Sequence, residues 1–354
     1  MATSLNKEAF VSLMDRFKRQ PTDVVGIDVG TTAIKAVRMR SNSGELTLTG
    51  ADILPPLTTP SNGDGDQDGV LTGPVLDIPV RLRARLASLT FTARSAVVKL
   101  LSFPGSFDAS TEERIVKNLG LDDPDRYRIS YNIVSRGHGR SESRVLTVAW
   151  PEEDAAGGPS LIPTGFPAPH SLEVSGLATL TTFLYTRDES FSKAAVGLIN
   201  FGATTTTYAL FNRGILTLIR RFGFGTETLL QRVQESLGVD HETAQGILTD
   251  GSFDISQAVS EAMETLVKQL MVSRDFVERR ENCQVSQIYV SGGMAQSHDT
   301  LSELHSNMEV DVNTWSPLEG ITIAKDAIPE ALEGREWILS AAIGAALATL
   351  EESS

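Results

Sequence analysis

One pattern occurs twice in this sequence. Val25-Gly-Ile-Asp28-Val-Gly30-Thr31-Thr32-Ala-Ile-Lys35-Ala-Val37 is the first copy, and Gly197-Leu-Ile-Asn200-Phe-Gly202-Ala203-Thr204-Thr-Thr-Thr207-Tyr-Ala209 is the second. Each runs from a short apolar strand to a polar residue, a glycine two positions on, small hydroxylic residues and a second strand. Each second strand reaches turn chemistry, Ser41-Asn-Ser-Gly44 or Asn212-Arg-Gly214, and a third strand follows, Glu45–Thr49 or Ile215–Ile219. At 354 residues the chain exceeds one ordinary core. Two matching copies at the heads of two domain-sized segments predict two lobes related by duplication.

The residue types in the repeat suit phosphate. Glycine at 30 and 202 lets backbone N–H groups approach an anion. Thr31, Thr32 and Thr204 add hydroxyl donors, and Lys35 offers a point charge. Asp28, at a strand end, would repel phosphate unless a cation lay between them, which assigns it to hydrated Mg²⁺. Two unrelated hairpins with glycine turns are the bland alternative, and the repetition argues against it. A third element agrees: Val285–Val290 reads as a strand entering Ser291-Gly292-Gly293-Met294, with a helical stretch to about Ser306. Gly292 and Gly293 there permit close backbone approach to a flat base and ribose.

Bulk composition narrows the partners. A net charge of −14 argues against nucleic acid and against direct docking onto anionic lipid. The single cysteine, Cys283, excludes an internal disulfide framework, fits a reducing compartment and reads as a small hydrophobe. Met1–Gln20 has no continuous apolar segment of the secretory kind. Trp337–Leu350 is too short to span a bilayer and reads as an interior helix of small residues. The expected location is cytoplasmic.

The three loops in this order resemble the actin, sugar-kinase and Hsp70 superfamily, and within it the PilM/FtsA branch. The carriers are Gly26–Lys35, Phe201–Thr207, Arg221-Phe-Gly-Phe-Gly-Thr-Glu-Thr-Leu-Leu230 and Ile288–Met294. The resemblance covers about Val24 to Leu350. It implies an α/β, actin-like two-lobed fold of duplicated ribonuclease-H-like domains with a small inserted subdomain. Lobe 1 would span 1–195, with the insertion at about 80–165; lobe 2 would span 196–331, and 332–354 would return to lobe 1 as a helix. Nucleotide-binding positions would be Asp28, Gly30, Thr31, Thr32 and Lys35 in the first loop. Asn200, Gly202, Ala203 and Thr204 would form the second, with Glu227 near the ribose and Gly292, Gly293 and Met294 at the base. ATP or ADP with Mg²⁺ on Asp28 would be the cofactors. The implied partner is an inner-membrane pilus or secretion protein, bound through its short cytoplasmic N-terminal segment near the insertion. That arrangement makes the chain peripheral to the inner membrane, with self-association possible and no direct membrane insertion. FtsA-like relatives end in a linker and a basic membrane helix, whereas this sequence ends Glu351-Glu-Ser-Ser354, which favours the PilM side.

Two departures bear on chemistry. The second phosphate loop of the superfamily usually begins with aspartate, and here Asn200 supplies no charge to Mg²⁺ and cannot act as a base. The Glu or Gln that stands beside the attacking water aligns with Ser175; Glu173 would be two residues out of register. Losing both should slow hydrolysis severely. The expectation is a nucleotide-binding scaffold for pilus or secretion-machine assembly with weak or absent turnover. Its rivals are an active ATPase or small-molecule kinase of the same superfamily, and a filament-forming cytoskeletal protein.

Lesser signals are weighed against plain readings. Asp64-Gly-Asp66-Gln-Asp68-Gly69 matches the front of a calcium loop, but position twelve is Val75, so 60–72 reads as a solvated acidic loop. His298 and His305 stand too far apart on one helix to share a metal. Pro151–Pro169 reads as a mobile loop. Phe10, Leu13, Met14 and Phe17 give residues 4–19 an amphipathic face, fitting a capping helix or a partner-binding arm.

Overall fold

The computed structural model describes residues 21–57, 74–139, 141–187, 190–251 and 253–351. The readings of the N-terminal arm and of the acidic loop at 60–72 lie outside these residues.

The described residues begin with three antiparallel strands, β1 (Asp23–Val29), β2 (Ile34–Asn42) and β3 (Glu45–Leu54), followed by β4 (Leu86–Phe91). Between β4 and β8 (Ala168–Val174) lies an insertion made of β5 (Val97–Pro104), α1 (Ala109–Leu119), β6 (Tyr127–Ser135) and β7 (Glu142–Pro151). Helix α2 (Ser175–Tyr185) then crosses to a second set: β9 (Ala195–Phe201), β10 (Thr206–Asn212) and β11 (Ile215–Phe222). Helices α3 (Thr226–Leu237), α4 (His241–Asp250) and α5 (Ser256–Glu281) follow, then β12 (Val285–Gly292), α6 (His298–Met308), β13 (Asp311–Thr314) and β14 (Thr322–Ile323). The last element is α7 (Ser340–Glu351).

The duplication is visible in sheet topology. The first sheet runs β14-β3-β2-β1-β4-β8 and the second β11-β10-β9-β12-β13. Apart from the added β14, both have the order third-second-first-fourth-fifth, with the first three strands antiparallel and the last two parallel to the first. Even the hairpins match. Ser43 and Gly44 take φ 51° and 87°, and Arg213 and Gly214 take 52° and 76°, two left-handed positions per turn. Such turns follow the right-handed twist of the strands they join.

Burial explains why the two central helices are rich in small residues. From Ser340 to Leu350, every residue of α7 except Ala348 is buried. One side of α7 packs on the first sheet against Val24, Val37 and Met39. There Gly26 leaves room, because a Cβ on it would lie 1.9 Å from the Ala342 carbonyl oxygen. α2 lies between α7 and the second sheet, placing Leu180 and Phe183 against Val196, Leu198 and Phe211. The opposite face of the second sheet is covered by α3 and α5 through Leu229, Leu230, Leu266 and Leu270.

The insertion is a three-stranded antiparallel sheet, β5-β7-β6. Strand alternation gives it two apolar faces. Leu101, Phe103 and Val145 pack on Ile115 and Leu119 of α1. Val98, Leu100 and Leu146 turn toward the cluster holding Leu216 and Ile219 of β11. Ion pairs reinforce that second contact: Arg144 to Glu281 at 2.5 Å and Arg280 to Glu142 at 2.6 Å. The insertion therefore continues the first lobe in sequence and leans on the second in space.

Pro151–Pro169 does not read as a loose loop in the structure. It folds into short turns, Glu152–Ala155 and Gly158–Leu161, and buries Ala155 and Leu161 completely. Proline and glycine there shape tight turns over a core. Among the described residues no helix is long and apolar enough to cross a membrane.

Candidate functional site

The C-terminal ends of β1 and β9 and the exit of β12 meet where α2 and α7 cross. Asp28 stands near the end of β1 and is buried, at 8% exposure. In the β1–β2 ladder it faces Lys35, whose Nζ lies 3.7 Å from Asp28 Oδ2 and donates to the Ala33 carbonyl at 3.3 Å. A second partner comes from α2: Ser175 Oγ donates to Asp28 Oδ1 at 2.8 Å. Thr90 on β4 donates in turn to Ser175 Oγ at 2.9 Å. The carboxylate is thus fixed from two sides, and Lys35 neutralises part of its charge.

Ser175 accordingly sits at the start of α2, turned onto Asp28. Glu173 lies on β8, paired in register with Thr90, so it is a strand residue and not a shifted helical one. Thr31 and Thr32 occupy the exposed tip of the β1–β2 turn. Gly30 closes that turn, and a Cβ on it would come within 2.7 Å of the Ala33 carbonyl oxygen and 3.0 Å of Lys35 Nζ.

The second loop has the same build with different chemistry. Asn200 occupies the place of Asp28 and Thr207 that of Lys35, facing each other across β9 and β10. Gly202 donates its N–H to the Thr205 carbonyl at 3.0 Å. The first turn of α3 is tied to this loop, with the Thr226 and Glu227 amides donating to the Gly202 and Ala203 carbonyls at 3.0 and 2.9 Å. The Glu227 carboxylate is 3.4 Å from His241 Nε2 at the head of α4.

β12 brings in the third loop. Gly292, at φ 86°, and Gly293 pass over Phe201; Gly293 N–H donates to the Phe201 carbonyl at 3.0 Å, and a Cβ on Gly292 would lie 2.1 Å from that oxygen. Met294 turns inward and is fully buried in the second core. Behind this loop a chain of hydroxyls joins the lobes. Ser291 Oγ lies 2.9 Å from Ser340 Oγ on α7, and Thr182 of α2 donates to the Ser340 carbonyl at 2.7 Å.

Two arginines were not singled out by sequence as site residues. Arg221, at the end of β11, donates to the carbonyls of Thr92, Ala93 and Ala96 between β4 and β5, at 2.9 Å to Ala93 and 3.0 Å to Ala96. Burial pushes its guanidinium below the ordinary arginine value. Arg94, within that same segment, donates from Nε to Thr204 Oγ1 at 3.2 Å. Arg221 was legible only as the first letter of a glycine-rich motif, and nothing in the local sequence marks Arg94.

Cys283 follows α5, half-buried, with burial and neighbouring acids raising its thiol above the ordinary value. That is the opposite of an activated nucleophile. His298 is exposed, and His305 is engaged with the Val310 carbonyl at 2.8 Å. Among the described residues no cluster of three or more His, Cys, Asp or Glu is placed to hold a metal alone.

A cavity of about 510 Å³ lies away from these loops, between the insertion and the first sheet. Arg128, Ile129 and Ser130 of β6 form one wall, and His170, Leu172 and Val174 of β8 another, with Trp150 among the residues lining it. Both β6 and β8 are edge strands of their sheets. A second cavity of about 620 Å³ is lined by Arg94, Thr204, Thr205, Arg221 and Thr228, among others.

The model of the family described as type IV pilus assembly protein PilM matches residues 177–350, from α2 to α7. Among solved structures, the PilM-PilN type IV pilus biogenesis complex matches with a TM-score of 0.72 and 17% identity, covering 93% of this chain and 98% of that one. The ethanolamine utilization protein EutJ from Carboxydothermus hydrogenoformans matches at TM-score 0.44 and 13% identity, covering 93% and 90%. An archaeal actin homolog, Ta0583, matches at 0.43 and 13%, covering 94% and 100%. No curated protein matches significantly. Residues 177–350 thus match the PilM family, and the chain as a whole has the actin-like fold.

Proposed function

We propose that this PilM-like chain is a nucleotide-binding scaffold that holds the cytoplasmic segment of an inner-membrane partner and turns nucleotide over slowly or not at all. The observation that carries the partner half is the groove between β6 and β8. Two edge strands face each other across an apolar floor that includes Trp150 and Leu177. That is the geometry an extended peptide takes by strand addition, with main-chain hydrogen bonds for affinity and side-chain pockets for specificity. The solved PilM relative is in complex with PilN, and we carry the partner class over on that basis. Such a partner makes the chain peripheral to the inner membrane.

The nucleotide half rests on the three loops. Gly30, Gly202, Gly292 and Gly293 keep backbone within reach of a ligand, at places where a side chain would strike its own turn (Gly30, Gly202) or a neighbouring segment (Gly292, Gly293). Asp28 and Lys35 would take Mg²⁺ and phosphate, and the metal would lean on Asp28, nucleotide oxygens and water. When bound, the metal would supply charge neutralisation at the phosphates. On the protein's side, Ser175 holds Asp28 in place and offers no carboxylate to a water, and Asn200 cannot take a proton. Positioning survives while the groups that activate water are missing, which favours holding nucleotide over cleaving it.

Because the insertion leans on the second lobe, a change in lobe angle would move β6 relative to β8 and reshape the groove. Calorimetric titration with the partner's cytoplasmic peptide, with and without ATP, tests this reading. Binding should be lost in Ile129→Asp. No complex in either condition would overturn the scaffold reading, and robust Mg²⁺-dependent hydrolysis abolished by Asp28→Ala would overturn the weak-turnover reading.

A further inference from the structure

We infer that the ion pair between Arg144 of the insertion and Glu281 of the second lobe is a latch. It makes the insertion travel with that lobe and so carries a change in lobe angle to the partner groove. The inference rests on the groove reading above and names the contact that regulates it.

One strand of the insertion meets different lobes at its two ends. β7 runs from Glu142 to Pro151. Its last residues enter the first lobe, where Trp150 meets Phe91 edge to face with ring centres 5.9 Å apart. Ala149 pairs there with Val97, the first residue of β5, so both strands leave the first lobe at this end. The first residues of β7 reach α5 of the second lobe instead. Arg144 and Glu281 meet at 2.5 Å, each side chain only 14% exposed. Arg280 reaches Glu142 at 2.6 Å, Ser102 at 3.2 Å and Glu281 at 3.7 Å. Trp150 stands six residues on from Arg144. At the rise of an extended strand that is an arm of about 20 Å.

The two ends yield differently. Charges alternate along the far contact, Glu142, Arg280, Glu281 and Arg144, so each has an opposite neighbour. Parting a pair this deeply buried is costly, because it leaves poorly solvated charges without partners. Val98, Leu100 and Leu146 pack beside Leu216 and Ile219 on the same side. Arg221 of β11 also binds the carbonyls of Ala93 and Ala96, fastening the link at the pivot to the second lobe. Toward the first sheet, by contrast, β6 stands across the cavity of about 510 Å³ from β8. When the lobe angle changes, the open side gives way first, and that side is the groove.

Spin-label distances in the full chain test the latch without any ligand, with Cys283→Ser removing the native thiol. Labels at Lys117→Cys on α1 and Thr265→Cys on α5, both exposed, report the insertion against the second lobe. Glu281→Arg sets a third arginine beside Arg144 and Arg280, and should broaden that distance distribution. Arg144→Gln, which removes one charge without repulsion, should broaden it less. Exchanging the charges, Arg144→Glu with Glu281→Arg, should narrow it again. An unchanged distribution in both single variants, or no recovery on exchange, would overturn the inference.

Calorimetric titration with the partner's cytoplasmic peptide then reads the regulation. In the parent, MgATP should change peptide affinity about fivefold or more. That ratio should approach one in the single variants and return in the exchanged pair. A ratio of one in the parent, or a full ratio in the single variants, would overturn the inference and leave the scaffold reading standing. A parent that binds no peptide would overturn both.

Discussion

Replacing Gly344 with alanine adds one methyl group where α2 and α7 touch most closely. A Cβ there would sit 1.8 Å from the Ala178 carbonyl oxygen, 2.5 Å from its carbonyl carbon and 2.9 Å from Thr182 Oγ1. An ordinary contact needs about 3.5 Å, so the helices would have to part by well over an ångström. The obstacle is backbone, which cannot rotate aside as a side chain can. Parting the helices also disturbs Val24 and Met39 under α7 and Phe183 over the second sheet. Overpacking of this kind costs about 1–3 kcal/mol, and two opposed backbones place this case at the upper end. At roughly 2–4 °C per kcal/mol, the melting midpoint should fall by about 6–12 °C. The matched control is Gly246→Ala, on the exposed face of α4, where nothing lies within 4 Å. There alanine's helix propensity should raise stability by about 0.5–1 kcal/mol. Thermal melts followed by circular dichroism would compare the two. A Gly344→Ala midpoint equal to the parent's, or shifts of the same sign in both variants, would refute the reasoning about helix contact.

Two further outcomes follow from other parts of the molecule. Burial tends to raise the Asp23 carboxyl, but hydrogen bonds from Arg38 at 2.6 and 2.8 Å, with the charges of Arg38 and Arg40, hold it below its ordinary value of 3.8. A depressed folded value means its stabilisation is full above about pH 3.8 and drains as pH falls further. Asp23→Asn should therefore lower the neutral-pH midpoint and flatten that part of the acid limb; an acid limb unchanged in a pH series of melts would count against the pair. Asn200→Asp restores a carboxylate opposite Thr207, and nucleotide affinity should then become about tenfold more dependent on Mg²⁺. Titrations with and without the metal that coincide for parent and variant would contradict the role given to Asn200.

Much of the fold was legible because it depends on local pattern. The repeat around Asp28 and Asn200 set out two hairpins of identical build, and both sheets carry them in the same order. Glycine spacing marked the three loops, because a close backbone approach leaves a residue-level trace. The turns around Ala155 and Leu161 were misread because proline and glycine mark tight packed turns as readily as loose ones, and only the core beneath them decides.

What the sequence alone determined is the duplicated strand–turn–strand frame and the chemical inequality of its two halves, Asp28 with Lys35 against Asn200 with Thr207. Those are properties of residues within a few positions of one another. Tertiary structure decided what faces what across long separations: Ser175 turned onto Asp28, Arg221 clamping the segment that carries Arg94, and β6 set opposite β8 to make a groove. These contacts join residues tens to more than a hundred positions apart. Their geometry is set by how α2 and α7 pack between two sheets, which no local pattern specifies.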